Sequence, residues 1–410
     1  MKIIEIPIEI ALEAPYNPRR MSEAVMKKLE ESIQAHGYVD PMVWNVASKH
    51  VVGGNQRLKV LKRLGFKTIK VVEVDLTHEQ EVSLNLALNK IGGDFIDEKV
   101  AALYQDLKQL PNFDAVTGFE DYEVDRLFDL YCTPEEEDGF NAEGELAKIE
   151  NPITQPGDII ELGNHRILCG DATNPDHVSA LMAGRQASLV VTDPPYSVNY
   201  CAEQRPTNKR KKAKWVPIAN DNLSEVDYHS LLEKSFSNMH AHLAPGGAVY
   251  VWNGFAQFGR MHDLLTKLDF HVSSVITWVK PNPCPSFADY QWQTEFCLYG
   301  WSNKGPHKWF GPKNSSNWWS CGRDSSRDIQ HPSQKPIELS VRALRNSSER
   351  GDIVLDMFLG SASVLIAAER LGRICYGIEI SPAYCDLAVQ RFAKSVGHKT
   401  LSSKVKEKYL

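Results

Sequence analysis

The sequence predicts an α/β protein in which a doubly wound, mostly parallel sheet follows a smaller α/β domain. Three observations lead to this fold class. An apolar run at 187–191 ends in the tetrapeptide Asp193-Pro194-Pro195-Tyr196, residues 353–379 alternate strand, turn, helix and strand, and the first 75 residues alternate short strands with helical stretches. Alternation of this kind is typical of sheets covered by helices.

The tetrapeptide Asp193-Pro194-Pro195-Tyr196 stands where a buried strand is predicted to end. A carboxylate and a proline carbonyl can each accept a hydrogen bond from an exocyclic NH2, which draws the nitrogen towards tetrahedral geometry and localises its lone pair. A tyrosine ring can stack on an extruded base. Tandem prolines also end strands for purely structural reasons, so the motif alone leaves both interpretations open.

Residues 353–379 form one predicted βαβ unit, with the small-residue turn Gly360-Ser361-Ala362 between its first strand and its helix. Such a turn lets a ligand approach the backbone at a helix N-terminus, and Glu379 lies where ribose hydroxyls would bind. The spacing is not Gly-x-Gly-x-x-Gly, and no phosphate-binding lysine follows the turn. The pattern favours a nucleoside ligand without a pyrophosphate, and an ordinary turn of an α/β core is the alternative.

Together, the tetrapeptide and Asp356-x-Phe358-x-Gly360-Ser361 resemble the beta group of DNA amino-methyltransferases, in which the catalytic tetrapeptide precedes the cofactor turn. Flanking segments at 157–171, 245–247, 278–280 and 331–336 match in the same order. The resemblance spans about residues 155–393 and implies a Rossmann-like fold that uses S-adenosylmethionine. Ala362 departs from the family, which usually has glycine there, and alanine disfavours positive φ.

The resemblance implies a role for each motif residue. Asp193, Pro194, Pro195 and Tyr196 would hold the target base. The cofactor would be bound by eight residues: Asp171, Lys335, Pro336, Asp356, Phe358, Gly360, Ser361 and Glu379. No metal is needed, because a sulfonium methyl is already an activated electrophile and positioning carries the catalysis. The expected reaction is methylation of N6 of adenine in double-stranded DNA, with N4 of cytosine as the alternative.

Two regions of the same domain are predicted to contact DNA. The charged run after the tetrapeptide should attract phosphates through Lys209, Arg210, Lys211 and Lys212. Residues from about 280 to 330 are dense in aromatic and basic side chains and form the predicted target-recognition region. The alternative for the charged run is a solvated loop. The alternative for residues 280–330 is a subdomain whose tryptophans form a core. Glu295 resembles an acid that the family places near its central sheet, and no role is assigned to it.

Residues 1–110 resemble the N-terminal domain of ParB and sulfiredoxin-like proteins through Asn17-Pro18-Arg19 and Gly53-Gly54-Asn55-Gln56-Arg57. A glycine turn that opens a helix bearing an arginine predicts an anion site, so Arg19 and Arg57 are candidate contacts to phosphate or DNA. The alternative is an accessory domain whose arginines pair with acids. No cysteine precedes Cys132, which argues against redox chemistry of the sulfiredoxin type.

The predicted domain order is the ParB-like domain at 1–110, a helical extension and acidic linker at 111–156, the methyltransferase domain at 157–395 and a basic tail at 396–410. The 410 residues carry a formal net charge of −6, so any attraction to DNA must be local. Eight cysteines without a Cys-x-x-Cys pair indicate neither a zinc site nor a disulfide framework.

A cytoplasmic location is predicted, because the sequence shows no signal peptide and no membrane-spanning stretch. The fusion resembles chains of phages and mobile elements, which suggests a role in restriction-modification or in protecting an element's DNA. A ParB-like DNA-binding protein with an inactive methyltransferase domain is one alternative, which Ala362 supports. A nuclease is the other, but it would require an acid cluster that the first domain lacks. Whether the chain forms a homodimer is left open.

Overall fold

The computed structural model describes residues 2–18, 21, 23–90, 97–107, 123–124, 127, 137–196, 223–284, 289–321, 335–397 and 401–409. The chain divides into two compact units, Met1–Thr133 and Pro134–Leu410. Each unit has its own sheet, of five strands in the first and nine in the second. Within the described ranges, no helix combines the length and the apolar character needed to cross a bilayer.

The first unit alternates short strands with helices, as its sequence predicts. Its strand order is β1-β5-β3-β4-β2, with parallel and antiparallel pairs mixed. Its strands are Lys2–Pro7 (β1), Leu12–Glu13 (β2), Met42–Asn45 (β3), His50–Gly53 (β4) and Thr68–Val74 (β5). Its helices are Glu23–His36 (α1), Asn55–Arg63 (α2), His78–Lys90 (α3) and Asp97–Leu107 (α4), and Ile8–Ile10 forms a 3-10 turn.

The buried carboxylate of Glu81 ties helix α3 to the sheet of the first unit. It accepts a hydrogen bond from the hydroxyl of Tyr16 at 2.5 Å and lies 2.8 Å from Nδ1 of His50. The side chains of Asn45 and Ser48 also donate to it. Burial by itself raises the pKa of Glu81, but these hydrogen bonds outweigh that effect and lower it. The charged form is therefore held inside the unit, where it fixes α3 against β3 and β4.

The second unit contains nine strands and eight helices within the described ranges. Its strands are Ile159–Leu162 (β6), His165–Cys169 (β7), Ala187–Thr192 (β8), Leu243–Asn253 (β9), Phe270–Cys284 (β10), Trp292–Ser302 (β11), Trp318–Ser320 (β12), Ile353–Asp356 (β13) and Ile374–Glu379 (β14). Its helices are Ala142–Leu146 (α5), Pro175–Met182 (α6), Glu225–Ala241 (α7), Phe258–Lys267 (α8), Ile337–Ser347 (α9), Ser363–Arg370 (α10), Pro382–Val396 (α11) and Ser403–Tyr409 (α12).

The strand order of the second sheet is β12-β10-β11-β9-β8-β13-β14-β7-β6. The five central strands, from β9 to β7, run parallel to one another. Their carboxyl ends therefore share one edge, which is where open α/β sheets bind their ligands. Strands β8 and β13 are neighbours although they are far apart in the sequence, so the segments that follow them are brought together.

Helices cover both faces of this sheet. Leu189 and Val191 of β8 pack with helices α9 to α12, whereas Ala187 and Val190 pack with helices α6 to α8. A strand buried on both faces needs apolar residues at successive positions, which explains the continuous apolar run of β8. The predicted doubly wound α/β fold is confirmed.

One predicted boundary differs from the structure. The sequence predicts an acidic linker that ends near residue 156, yet the described residues from 137 onward belong to the second unit. Phe140 and Leu146 are buried against Leu387 of α11. The charged composition of this stretch concealed these two apolar contacts, whose partner lies more than two hundred residues downstream.

Candidate active site

The two sequence motifs meet at the carboxyl edge of the parallel strands. Asp193 directly follows β8, and Asp356 is the last residue of the neighbouring strand β13. Thr192 connects them, because its hydroxyl donates to Oδ1 of Asp356 at 3.0 Å and accepts from the N–H of Met357 at 3.1 Å. The structure therefore places the predicted catalytic and cofactor motifs side by side.

The carboxylate of Asp193 is held by two partners. The hydroxyl of Tyr196 donates to Oδ1 at 2.7 Å, and Nζ of Lys335 donates to Oδ2 at 2.8 Å. The same Nζ lies 3.0 Å from the Tyr196 hydroxyl, which closes a triangle of three side chains. No hydrogen bond to the carbonyl of the next residue, Pro194, is found among the described residues, so this oxygen is available as a second acceptor.

Lys335 lies at the catalytic motif, although the resemblance assigns it to the cofactor. Its Nζ is 5.2 Å from the ring centroid of Tyr196 and 5.7 Å from that of Trp252. Burial lowers the pKa of Lys335, but the carboxylates of Asp193 and Glu295 more than compensate and raise it. The side chain is therefore a permanent cation beside Asp193.

Glu295 of β11 is a member of this site that the sequence does not reveal. One of its oxygens lies 2.9 Å from Nζ of Lys335, and the other pairs with Lys280. Burial raises the pKa of Glu295, but the two lysines outweigh that effect and lower it. Two carboxylates and two ammonium groups therefore alternate in a half-buried, charge-balanced chain from Asp193 to Lys280.

The sequence signal for this chain of charges is weak. Glu295 belongs to a segment that resembles the family, but its lysine partners lie on either side of it in the sequence. Lys280 reaches Glu295 because Trp278 and Glu295 are opposite each other in the antiparallel pair of β10 and β11. This register depends on the whole sheet rather than on local residue types.

Asp356 is a buried acid at the start of the predicted cofactor turn. It is 3% exposed, and its Oδ1 accepts from the N–H of Phe358 at 3.1 Å as well as from Thr192. Burial is the main cause that raises the pKa of Asp356 to about 7, with smaller contributions from the charges of Asp193 and Glu379. A cationic ligand would stabilise its ionised form.

The turn after Asp356 is tied to Glu379 at the end of β14. The N–H of Gly360 donates to Oε2 of Glu379 at 2.9 Å, and the N–H of Ser381 donates to Oε1 at 2.8 Å. Burial raises the pKa of Glu379 despite these bonds. Gly360 has φ of +49°, and a Cβ atom there would meet nothing closer than 3.9 Å, so the space beside the turn is open to a ligand.

Ala362 adopts the left-handed conformation, which glycine occupies more readily than alanine. Its φ and ψ are +65° and +32°, and the residue is fully buried. This backbone region costs a non-glycine residue roughly 1–2 kcal/mol. The surrounding structure therefore holds this alanine in a strained conformation.

Replacing Ala362 by glycine is expected to change the free energy of unfolding by less than about 1 kcal/mol, because the relief of the left-handed alanine is offset by the lost burial of its methyl group and the added chain entropy. Urea-induced unfolding of the variant and of wild type measures this difference in the free energy of unfolding. Ala183, at φ of +48° after α6, provides the comparison, because it has the same backbone strain but is exposed, so glycine there should stabilise by about 0.5–1 kcal/mol. An Ala183→Gly variant no more stable than wild type, or less stable than Ala362→Gly, would contradict this explanation.

The other predicted cofactor residues lie at the same edge. Asp171 follows β7, and its Oδ1 accepts from the N–H of Thr173 at 2.8 Å. The N–H of Gly170 donates to the carbonyl of Glu379 at 2.8 Å, which joins the ends of β7 and β14. Pro336 precedes helix α9 directly after Lys335.

Arg57 lies at the predicted anion site of the first unit but is already paired. Gly54 opens helix α2 at φ of +102°, and a Cβ atom there would lie 2.6 Å from Cγ of Met42, so the turn requires glycine. Nη1 of Arg57 pairs with the carboxylate of Asp40 and donates to its carbonyl at 2.5 Å. This pairing agrees with the alternative of an arginine matched to an acid, and a phosphate contact by Arg57 stays a prediction.

Several predicted DNA contacts lie outside the described residues. They are Arg19, Lys209, Arg210, Lys211 and Lys212. Within the described ranges, no three His, Cys, Asp or Glu side chains are grouped closely enough to hold a metal ion.

The predicted target-recognition region is in part a core element. Its segment Trp292–Ser302 is strand β11, which pairs with both β9 and β10. Trp319 is 5% exposed and belongs to the core, whereas Trp292 and Trp318 are 47% and 64% exposed. Phe255, which follows β9, lies 5.5 Å from the ring of Trp292. The alternative of tryptophans that form a core therefore holds for part of the region, and exposed rings that include Trp292 and Trp318 remain for a partner.

Comparisons with known proteins identify both parts of the chain. The family model of a DNA methylase that acts on N6 or N4 matches residues 187–390, and the model of the ParB N-terminal domain matches residues 1–90. The chain therefore carries a domain of the N6/N4 DNA methylase family behind a ParB-like N-terminal domain, as its motifs predict. S-adenosylmethionine is the cofactor of that methylase family.

Individual relatives align with about half of the chain. The Type II methyltransferase M2.MboI of Moraxella bovis is 25% identical over 221 residues, which cover 50% of this chain and 80% of that protein. The Type II methyltransferase M.HinfI of Haemophilus influenzae is 27% identical over 227 residues, which cover 50% and 62%. The crystal structure of the M1.HpyAVI–SAM complex is 23% identical and covers 55% of this chain and 98% of that one, with a TM-score of 0.42.

Proposed function

We propose that this protein transfers a methyl group from S-adenosylmethionine to N6 of adenine in double-stranded DNA. The observation that carries the proposal is the hydrogen bond from Thr192 to Asp356, which joins the end of β8 to the end of β13. It sets a carboxylate suited to an amine, at Asp193, beside a turn suited to a nucleoside. The two halves of a methyl-transfer site are thus adjacent.

The target amine needs the groups that this edge presents. The lone pair of an exocyclic NH2 is delocalised into its ring, so it must be localised before it can attack. Asp193 and the carbonyl of Pro194 would accept the two N–H hydrogens and draw the nitrogen towards tetrahedral geometry. The ring of Tyr196 would replace part of the stacking that the base loses on leaving the duplex.

The carboxylate of Asp193 has acceptor capacity left for the amine. Its two oxygens offer about four acceptor positions, of which Tyr196 and Lys335 use two. Lys335 also lies against Glu295 and Tyr196, which keeps its ammonium group from moving onto the base. Asp193 is thereby oriented by fixed partners, and such preorganisation is the main source of electrostatic catalysis.

The chemistry of the cofactor turn fits S-adenosylmethionine. Asp356 and Glu379 are buried acids with raised pKa values, and neither forms an ion pair within the described part of the chain. The cofactor carries positive charge on its amino group and its sulfonium, which would balance one of these acids, and its ribose hydroxyls would donate to the other. When bound, it supplies a methyl group that is already activated for displacement.

The choice of adenine rests on the first residue of the tetrapeptide. The resemblance associates aspartate at position 193 with N6 of adenine and serine with N4 of cytosine. Both amines have the same local chemistry, so the base must be identified directly.

The test is to incubate the full-length protein with labelled S-adenosylmethionine and double-stranded DNA, and then to digest the DNA to nucleosides. The expected product is labelled N6-methyladenosine in its deoxy form. Labelled N4-methylcytosine would support the methyl-transfer reaction but would identify cytosine, not adenine, as the target base. DNA that is bound but not labelled would reject the proposed reaction. An Asp193→Ala variant measures the background incorporation of label.

The lysine-rich run is expected to set the salt dependence of DNA binding. Neutralising Lys209, Arg210, Lys211 and Lys212 should reduce the slope of log affinity against log salt by up to about 3.6, because each of the four phosphate contacts would contribute about 0.9. Fluorescence anisotropy on a duplex at several salt concentrations measures this slope.

A matched control removes the same charges elsewhere on the second unit. Lys148, Arg185, Lys234 and Lys267 are exposed and also comprise three lysines and one arginine. Their neutralisation should leave the slope nearly unchanged. Equal slopes in the two variants would show that the run makes no specific contact with the backbone.

A further inference from the structure

A fully buried arginine supports the predicted cofactor turn from within the second unit. Arg391 of α11 is 1% exposed, and its Nη1 donates to the carbonyl of Ser361 at 2.6 Å. The same Nη1 lies 3.3 Å from Oγ of Ser363, which donates to the carbonyl of Lys335 at 2.8 Å. One guanidinium group therefore fixes the middle of the turn and, through Ser363, the backbone of the lysine that holds Asp193.

The counterion of Arg391 comes from outside both family matches. Nε donates to Oδ2 of Asp138 at 2.6 Å, and Nη2 donates to Oδ1 at 3.2 Å. Asp138 precedes the DNA methylase match at 187–390 and follows the ParB match at 1–90. A buried guanidinium needs such a partner, because an unpaired charge in the interior is strongly destabilising.

The segment that carries Asp138 is anchored along helix α11, and residues 137–154 are called the strap below. The carboxylate of Asp386 accepts from the N–H of Ile153 at 2.6 Å and from the N–H of Thr154 at 3.0 Å. At the other end of the strap, the ring of Phe140 lies 5.5 Å from the guanidinium of Arg391. The strap thus contacts helix α11, which follows Glu379, at both of its ends.

We propose that Asp138 is a positioning residue of the cofactor site, acting on the turn at Ser361 through the guanidinium of Arg391. This inference rests on the proposed use of S-adenosylmethionine. A carboxylate that binds Nε and Nη2 together fixes the guanidinium plane, so the remaining nitrogen points at the Ser361 carbonyl. The cofactor site is therefore incomplete in a chain that begins at the family match, and it depends on residues directly after the first unit.

The test compares three variants of the full-length protein by calorimetry with S-adenosylmethionine and by methyl-transfer kinetics. Asp138→Asn should raise both the Kd and the KM for S-adenosylmethionine by about tenfold, because a small displacement of the turn weakens every contact to the ligand. Its kcat at saturating cofactor and its KM for DNA should change by less than about threefold, since Asp138 reaches Asp193 only indirectly, through Ser363 and the backbone of Lys335.

Asp386→Asn is the matched control, because it loosens the strap at its other end without touching Arg391. It should lower the unfolding midpoint while the cofactor Kd stays within about twofold of wild type. The double variant Asp138→Asn with Arg391→Met guards against misfolding, since an apolar replacement of a buried ion pair is often neutral for stability. This double variant should be more stable than Asp138→Asn, but it should not regain affinity for S-adenosylmethionine.

Wild-type affinity in Asp138→Asn, equal loss of affinity in Asp386→Asn, or restored affinity in the double variant would each overturn the positioning role. A wild-type protein that does not bind S-adenosylmethionine at all would instead reject the proposed function, before any variant is compared.

Discussion

Asp193→Ala is expected to lower the rate of methyl transfer by at least about a thousandfold while the Kd for S-adenosylmethionine stays within about threefold of wild type. The carboxylate is the group that would localise the lone pair of the target amine, so its loss affects the transition state. The cofactor turn belongs to the neighbouring strand and keeps its own contacts through Thr192, Asp356 and Glu379. Single-turnover transfer and calorimetry measure the two quantities separately.

Two controls separate chemistry from damage to the fold. Asp227→Asn changes an exposed acid in the first turn of α7, whose backbone N–H donates to the N-cap Ser224, and it should retain full activity. Lys335→Met combined with Asp193→Ala removes both partners of one ion pair, so the remaining charges, Glu295 and Lys280, stay balanced. The double variant should be as inactive as Asp193→Ala but more stable. Full activity in Asp193→Ala would refute the role of this residue.

Cofactor affinity is expected to rise with pH through about 7 and to lose this dependence in Asp356→Asn. The pKa of Asp356 is about 7 because the acid is buried, so the group is protonated and neutral at lower pH. A positively charged ligand favours the ionised form, so binding releases a proton and affinity falls up to about tenfold for each pH unit below 7. Calorimetry between pH 5.5 and 8.5, in buffers of different ionisation enthalpy, measures both effects.

The same acid has the opposite effect on the stability of the protein without cofactor. A carboxyl group whose pKa is higher in the folded than in the unfolded state stabilises the fold while protonated, and this contribution is lost as pH rises from about 4 to about 7. Asp356→Asn should therefore raise the free energy of unfolding at pH 8 by roughly 1–4 kcal/mol. Higher stability together with weaker cofactor binding is typical of a residue kept for function.

Asp352 provides the control for both measurements. It precedes β13 at the opposite end of that strand, where it accepts from the hydroxyl of Ser188 at 3.0 Å. Asp352→Asn should leave the pH dependence of cofactor binding unchanged. An Asp356→Asn variant with the pH profile of wild type would assign the titration to another group, such as Glu379, whose pKa burial also raises.

Local sequence signals were sufficient to predict the fold and the meeting of the two motifs. Apolar runs such as 187–191 and turns such as Gly360-Ser361-Ala362 determine strands and their ends with little help from distant residues. That the two motifs share one edge follows from the parallel arrangement of β8 and β13. The left-handed backbone of Ala362 was not predicted, because the sequence indicated only that alanine disfavours positive φ.

The ion pairs were not predictable in this way. Glu295 meets Lys280 and Lys335 through the register of two antiparallel strands and the placement of a segment beyond them. Asp138 meets Arg391 across most of the second unit, and its acidic surroundings resemble a linker. Contacts between charged residues far apart in sequence depend on the complete fold, so the sequence left Glu295 without a role and placed Asp138 in a linker.

A crystal structure of the protein with bound S-adenosylmethionine tests the central claim most directly. The account predicts a methyl carbon within about 6 Å of the carboxylate of Asp193, because a hydrogen bond of about 2.9 Å and an attack distance of about 3.3 Å must fit between them. The sulfonium or amino group should lie near Asp356. A methyl group that points away from Asp193, with no space for a base between the two, would contradict the account.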